Sequence, residues 1–314
     1  PFKDVVYLQG RTNALYGTAT NQNIFAYKLQ LVKEKRPAIL ALGASTVLAM
    51  REEFFTTSFA NCGNAMNDLT EGKIFLEEVL KHYKPELVII GLSFWWFTEK
   101  NAEPKTYDYH QNIGYLTFEA LLRPFTFLAD SKITLGEYLR IISFGTIRSG
   151  LTNYESIGLR AMKRSEGFRK DGSAFSAYKL FGLETRNALL EMNPALDGRK
   201  RFEYTGPIAP KAMETLKEIV ELLEKNTVKF VFVVTPVSGV FYKAMESSPE
   251  KYGYIGKLHN YYGTLPYEIY NFHNIDDVGG NDCECTDGIH VGDVLSQRIF
   301  LKILERNPAT VLKD

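Results

Sequence analysis

Three short apolar runs stand out from the mixed polar background of this chain. They cover residues 38–42, 87–90 and 228–234, and each ends in glycine or in a Thr-Pro pair. All three are rich in aliphatic residues, with β-branched or aromatic members. Runs of this length and composition are typical of parallel strands that are buried on both faces of a sheet.

Helical periodicity appears between and after these runs. Residues 71–83, 210–225 and 294–304 carry apolar side chains at a spacing of three to four. That spacing predicts amphipathic helices. Strands alternating with helices at both ends of the chain predict an α/β fold. We therefore expect a three-layer sandwich, flavodoxin-like in type, with a mainly parallel sheet.

The middle of the chain has a different pattern. Residues 116–128 and 135–142 are amphipathic, and residues 163–173 form a polar stretch with two glycines. We interpret residues 101–206 as a large, mostly helical insertion within a single domain of residues 1–314. An insertion of this size in a compact fold is expected to serve as a lid or a substrate surface.

Charge argues against a nucleic-acid partner, and hydropathy predicts no membrane span within this sequence. The 37 basic and 37 acidic residues give a net charge of zero, so a nucleic-acid partner is not expected. No apolar stretch reaches the length of about 18 residues that a membrane span needs. The chain starts at Pro1 without a methionine. We expect it to be part of a longer protein that carries a secretory signal or a membrane anchor.

Candidate catalytic residues follow the predicted strands. Ligands of open α/β sheets bind beyond the carboxyl ends of the strands, and Ser45 follows the first strand. A serine becomes a nucleophile only when a base takes its proton, and a third group orients that base. Asp287 and His290, three residues apart before the last helix, suit these two roles. Ser45 as a helix N-cap is the alternative.

The order of these motifs resembles the SGNH (GDSL-like) hydrolase superfamily. Gly43-Ala44-Ser45 matches the first family block except that alanine replaces its aspartate. Phe59-Ala60-Asn61-Cys62-Gly63 fits the second block, and Asp287-Gly288-Ile289-His290 matches the last. The resemblance implies a catalytic triad of Ser45, His290 and Asp287, with Gly63 in the oxyanion hole. It covers residues 36–97 and 228–306, outside the insertion.

The third block departs from the family pattern. The family has Gly-x-Asn-Asp, whereas this chain has Gly91-Leu92-Ser93 followed by two tryptophans. Losing one oxyanion donor costs about 100- to 1000-fold in rate, which argues against efficient hydrolysis. Asn64, beside Gly63, and Ser93 are the candidate substitutes, and Ser93 is also a candidate substrate-binding residue together with Trp95 and Trp96. If the strand continues, Trp95 and Trp96 point to opposite faces. One of them would then line a site for sugar or acyl chains.

The aromatic pair resembles a divergent branch of the superfamily, the DltD and AlgJ/AlgX-like proteins of cell-envelope acylation. This resemblance implies serine-dependent acyl transfer or ester hydrolysis on an acylated cell-envelope carbohydrate or polymer, without a cofactor or a metal. It also implies a membrane O-acyltransferase as partner and an extracytoplasmic, membrane-anchored location. Two other hypotheses remain open: a plain secreted esterase, and a catalytically degenerate fold that binds a polymer or scaffolds a membrane partner.

The cysteines allow a further hypothesis. If the fold is of this type, the loops that carry Cys62, Cys283 and Cys285 meet at the active site. A disulfide from Cys62 to either of the other two would clamp these loops in an oxidising compartment. Three buried free thiols are the alternative. A zinc site that also used His290 would remove the catalytic base and is disfavoured.

Overall fold

The computed structural model describes residues 2–17, 23–102, 118–144, 147–148, 154–176, 202–310 and 312. The chain divides into two compact units. Unit 1 consists of Pro1–Glu34 and Asp108–Gly182, and unit 2 consists of Lys35–Tyr107 and Leu183–Asp314. The division differs from the predicted single domain with an insertion at 101–206, since the N-terminal segment groups with the middle of the chain.

Within the described ranges, the chain forms ten strands and eleven helices. The strands are β1 (Ala14–Tyr16), β2 (Ile39–Gly43), β3 (Phe59–Gly63), β4 (Leu87–Gly91), β5 (Ile147–Arg148), β6 (Glu155–Ile157), β7 (Glu166–Phe168), β8 (Ala174–Ser176), β9 (Lys229–Val234) and β10 (Ile269–Asn271). The helices are α1 (Phe2–Thr12), α2 (Ile24–Lys35), α3 (Leu69–Leu80), α4 (Glu99–Ala102), α5 (Phe118–Ala129), α6 (Leu135–Phe144), α7 (Leu159–Arg164), α8 (Pro210–Lys225), α9 (Gly239–Glu246), α10 (Pro249–Tyr262) and α11 (Asp293–Arg306).

Unit 2 is an α/β unit with a five-stranded parallel sheet. The strand order is β10-β9-β4-β2-β3, and every pair of neighbours runs parallel. Numbered along the chain, this is the 2-1-3-4-5 order of flavodoxin-like doubly wound sheets. The order reverses between β2 and β4. In sheets of this class, such a reversal opens a crevice at the carboxyl ends of the two strands.

The sheet is buried on both faces. Ile39, Ala41 and Ile89 belong to one core cluster with α11, whose Leu295 and Ile299 are fully buried. The alternate strand residues point to the other face. These are also buried, for example Leu40, Leu42, Val88 and Ile90. The strand sequences do not alternate between polar and apolar residues, because neither face of the sheet is exposed to water.

Unit 1 contains a second, smaller sheet that the sequence analysis did not predict. Its strand order is β5-β6-β1-β7-β8, with β1 parallel to β6 and antiparallel to β7. The strands have two or three residues each. Strands of two or three residues have too few positions for an alternation of polar and apolar residues to be recognised in the sequence. Because β1 pairs with β6, residues near the N-terminus join the middle of the chain.

Several predictions for the insertion meet the structure only in part. The amphipathic pieces at 116–128 and 135–142 correspond to α5 and α6. The described part of the insertion is not purely helical, since it also contains β5 to β8. Residues 103–117, 145–146, 149–153 and 177–201 of the predicted insertion lie outside the described residues.

Candidate active site

Ser45 lies at the carboxyl edge of the parallel sheet, beside the reversal of strand order. It follows β2 and is the first residue of the 3₁₀ helix Ser45–Val47. Together with the residues up to Met50, this helix forms a compact turn that we call the nucleophile turn. The cap position belongs to Ala44, and no side chain caps the turn. Ser45 is thus not an N-cap, and its hydroxyl is free for another role.

A row of glycines lets the nucleophile turn fold back onto the strand ends. Gly43 is in register with Gly63 on one neighbouring strand and with Gly91 on the other. A Cβ at Gly91 would lie 2.1 Å from Val47 Cγ1, and a Cβ at Gly63 would lie 2.7 Å from Leu48 Cδ2. Side chains of the nucleophile turn therefore occupy the space that glycine leaves at the ends of these strands.

Asp287 and His290 lie in the loop before α11. Asp287 Oδ1 accepts the backbone N–H groups of Ile289 at 3.0 Å and of His290 at 2.9 Å. The loop is tied to the sheet edge, because the Ser238 N–H donates to the Gly288 carbonyl at 2.9 Å. The carboxylate thus shapes the turn that presents the imidazole.

The three side chains form a continuous chain of hydrogen bonds. His290 Nδ1 lies 2.7 Å from Asp287 Oδ1 and 2.6 Å from Asp287 Oδ2. His290 Nε2 lies 2.6 Å from Ser45 Oγ. With a carboxylate on Nδ1, the neutral imidazole carries its proton there, and Nε2 is left as the acceptor for the serine proton. Both side chains of the Asp–His pair are partly exposed, so the arrangement is open to a substrate.

The oxyanion role predicted for Gly63 is wrong in this structure. The Gly63 N–H donates to Asn61 Oδ1 at 2.7 Å, inside the protein. It is therefore not free to bind an oxyanion. Asn61 was not among the residues predicted to act at the site, although an asparagine within an apolar segment is a signal that the sequence contains.

Asn64 remains a candidate oxyanion donor. Its backbone N–H donates to the Gly43 carbonyl at 2.9 Å, which places the residue directly beside the β2 end that leads into Ser45. Its φ angle is +65°, in the left-handed region, which asparagine adopts more often than most other residues besides glycine. Such conformations cluster at functional sites. The side chain is partly exposed, and no hydrogen bond to it is seen within the described ranges.

The residues after β4 are placed differently from the prediction. Ser93 is buried, and its Oγ has no hydrogen-bond partner in the described part of the chain. Trp95 and Trp96 are 7% and 0% exposed, so both belong to the core and neither forms an open platform. The predicted division between an inward and an outward tryptophan assumed a strand. The segment is instead the 3₁₀ helix Phe94–Phe97, where alternation does not apply.

None of the three cysteines forms a disulfide, so the proposed bridge from Cys62 to Cys283 or Cys285 is absent from the structure. Cys62 and Cys285 are buried, and Cys283 is exposed. Burial, with a smaller contribution from Asp282 and Asp287, raises the pKa of Cys285 to about 12. That thiol stays protonated and is a poor nucleophile or metal ligand. Among the residues that the structure describes, no group of three or more His, Cys, Asp or Glu side chains is arranged to hold a metal ion.

Comparison with known proteins adds no family assignment. No protein-family model matches the chain, and no curated protein matches it with significant similarity. Within the described ranges, no helix has both the length and the apolar character needed to cross a membrane.

Proposed function

We propose that this chain is a serine-dependent acyl-transfer enzyme of the SGNH type, with Ser45 as nucleophile, His290 as base and Asp287 as the residue that orients the base. One observation carries the proposal: His290 Nε2 lies 2.6 Å from Ser45 Oγ while Asp287 occupies Nδ1 on the opposite side of the ring. This is the relation of nucleophile, base and orienting group that acyl transfer requires.

The position of the three residues in the fold also supports the proposal. They converge from sequence positions 245 residues apart onto one strand end. That strand end adjoins the reversal of strand order, where ligands of doubly wound sheets bind. A hydrogen bond that served only for packing would not need this location or a partly exposed imidazole.

The reaction proceeds in two stages. Ser45 Oγ attacks the carbonyl carbon of an ester as His290 Nε2 takes the serine proton. The tetrahedral intermediate collapses to an acyl-serine, and His290 returns the proton to the departing alcohol. Water or a sugar hydroxyl then attacks the acyl-serine while His290 takes its proton. The second tetrahedral intermediate collapses, His290 returns the proton to Ser45 Oγ, and the acid or the new ester leaves. The acceptor in this second stage decides between hydrolysis and transfer.

The oxyanion of each tetrahedral intermediate needs hydrogen-bond donors close to Ser45. We assign this role to the Ser45 backbone N–H and the side-chain amide of Asn64. The Gly63 N–H does not take part because Asn61 holds it. Two such donors are worth several kcal/mol of transition-state stabilisation, since removal of one costs about 100- to 1000-fold in rate.

The proposal also covers the class of substrate. The sequence resemblance of the aromatic pair Trp95-Trp96 to cell-envelope acylation proteins supports an O-acylated carbohydrate or polymer as substrate. The same resemblance supports an extracytoplasmic setting next to a membrane O-acyltransferase.

A fluorophosphonate probe tests the proposal directly. The protein is incubated with the probe, the adduct is located by mass spectrometry, and 4-nitrophenyl acetate turnover is measured in parallel. We expect an adduct on Ser45 that Ser45→Ala and His290→Ala abolish. Ser247→Ala, at the exposed serine that forms the C-cap of α9, is the matched control and should react like the wild type. A folded wild-type protein without adduct and without turnover would refute the enzymatic proposal and favour a binding role.

A further inference from the structure

The side chain of Asn61 connects the nucleophile turn to the neighbouring strand. Asn61 lies in the middle of β3 and is fully buried, at 0% exposure. Its Nδ2 donates to the Val47 carbonyl at 2.7 Å and to the Met50 carbonyl at 2.8 Å. Its Oδ1 accepts the Gly63 N–H at 2.7 Å. One carboxamide thus holds the middle of the turn at Val47, its last residue Met50 and the end of the strand.

The orientation of this amide is fixed by its partners. Two carbonyl oxygens face Nδ2, and one N–H faces Oδ1. A flipped amide would place donor against donor and acceptor against acceptor at all three contacts. Asparagine alone among the short side chains offers two donors and one acceptor in a plane. An aspartate of nearly the same shape would keep the contact to Gly63 but would face the two carbonyls with oxygen.

The local backbone bonds do not fix the turn against the strand. Leu48 donates to the Ser45 carbonyl at 3.2 Å, and Met50 donates to the Val47 carbonyl at 3.0 Å. These bonds close the turn internally. The side chain of Asn61 links the turn to β3 through hydrogen bonds. The side chains of Val47 and Leu48 also pack against the strand ends at Gly91 and Gly63.

We propose that Asn61 is a positioning residue for the reaction: it sets the place of Ser45 Oγ relative to His290 Nε2. This inference rests on the proposed function. Ser45 opens the turn that Asn61 holds at Val47 and Met50, and its contact to His290 spans only 2.6 Å. A displacement of about 1 Å of a reacting group can cost about 100-fold in rate. Loss of the two donated bonds is expected to lower the chemical rate and to leave substrate binding nearly intact.

The test uses Asn61→Ala and Asn61→Asp in the intact chain, with Asn307→Ala as control. Asn307 caps the end of α11, where its side chain also accepts one backbone N–H, from Ala309 at 3.2 Å, and donates to Tyr270 Oη at 3.0 Å. It lies at the far end of α11 from His290. For each variant, the folded fraction is measured by circular dichroism, and kcat and KM for 4-nitrophenyl acetate are normalised to it.

We expect both Asn61 variants to lose about 10- to 100-fold in kcat and in the rate of fluorophosphonate labelling, with little change in KM. The low-field proton resonance of His290 Nδ1 should persist in both, because the contact between His290 and Asp287 does not depend on Asn61. Asn307→Ala should change the unfolding midpoint and leave normalised kcat at the wild-type value. This combination separates positioning from a general loss of stability.

Two outcomes would overturn the inference. One is a folded Asn61→Asp protein with wild-type kcat, and the other is a loss of kcat that disappears on normalisation to the folded fraction. If neither variant folds, Asn61→Ser replaces them. Its hydroxyl keeps one donor, so an intermediate loss of kcat is expected, and an unchanged kcat refutes the role. A wild-type protein without Ser45-dependent labelling refutes the proposed function itself, and the inference falls with it.

Discussion

The substitution Asp287→Asn changes the charge on the orienting group and keeps the shape of its loop. The retained Oδ1 still accepts the backbone N–H groups of Ile289 and His290, which lie 3.0 and 2.9 Å away. The new amide N–H group faces His290 Nδ1, which both carboxylate oxygens contact in the wild type. The imidazole then accepts at Nδ1 and carries its proton on Nε2. In that tautomer Nε2 has no lone pair for the proton of Ser45.

The expected loss of kcat is about 10⁴-fold, the size found for the same exchange in a serine-protease triad. At about 1.36 kcal/mol for each factor of ten, this corresponds to roughly 5.5 kcal/mol of activation free energy. The free energy of unfolding should change far less, because the two backbone bonds survive. Asp287→Ala, in contrast, leaves those N–H groups without an acceptor and should also destabilise the fold by about 1–3 kcal/mol.

The assay is pre-steady-state turnover of 4-nitrophenyl acetate together with urea unfolding of each variant. Asp282→Asn is the matched control, since Asp282 Oδ1 accepts the Gly239 N–H in the same region and does not contact His290. Wild-type kcat in a folded Asp287→Asn protein would show that the orienting carboxylate has no catalytic role. Equal losses in the Asp282 and Asp287 variants would point to damage of the loop instead.

Three further predictions concern other parts of unit 2. Asn64→Gly removes the side-chain amide and is compatible with the φ angle of +65°, so kcat should fall about 100- to 1000-fold while the unfolding midpoint stays nearly unchanged. An unchanged kcat would exclude Asn64 from the oxyanion hole. Burial lowers the pKa of His273 to about 3, so the unfolded state binds more protons between pH 6.5 and 3, and stability should fall by about 1.4 kcal/mol per pH unit as the pH drops through that range. His273→Phe should flatten this slope in urea titrations at pH 7, 5.5 and 4.5 by about one proton, and parallel slopes would contradict it. Iodoacetamide at pH 8 should modify the exposed Cys283 and spare Cys285, whose buried thiol has a pKa of about 12, and peptide mass mapping checks this order.

Much of unit 2 could be predicted from the sequence. The apolar runs at 38–42, 87–90 and 228–234 correspond to β2, β4 and β9 within one residue. The helix predicted over 210–225 has the bounds of α8. These elements could be recognised because buried strands are apolar throughout and amphipathic helices repeat their pattern every three to four residues. The motif residues Ser45, Asp287 and His290 were also selected from the sequence, because nucleophile, base and orienting group each need a particular residue type.

The predictions that failed depend on contacts or element ends that the periodicity of the sequence does not show. The tryptophans were expected to alternate as in a strand because local sequence does not show that a 3₁₀ helix follows β4. Gly63 was assigned to the oxyanion hole because no pattern along β3 shows that Asn61 takes its N–H. The small sheet of unit 1 was missed because its pairings join β1 to residues about 140 positions later. In each case the partner that decides the outcome is distant in sequence or too close for periodicity to reveal.

The sequence by itself determined which residue types are present for acyl-transfer chemistry and which segments are buried. Only the tertiary structure decided that Ser45, His290 and Asp287 meet within hydrogen-bond distance, that the tryptophans are core, and that Asn61 holds the nucleophile turn. The physical reason is the range of the interactions. Burial and helix periodicity can be recognised from residues that are close in sequence. The hydrogen bond of 2.6 Å between Ser45 and His290, 245 positions apart, depends on the whole sheet that brings them together.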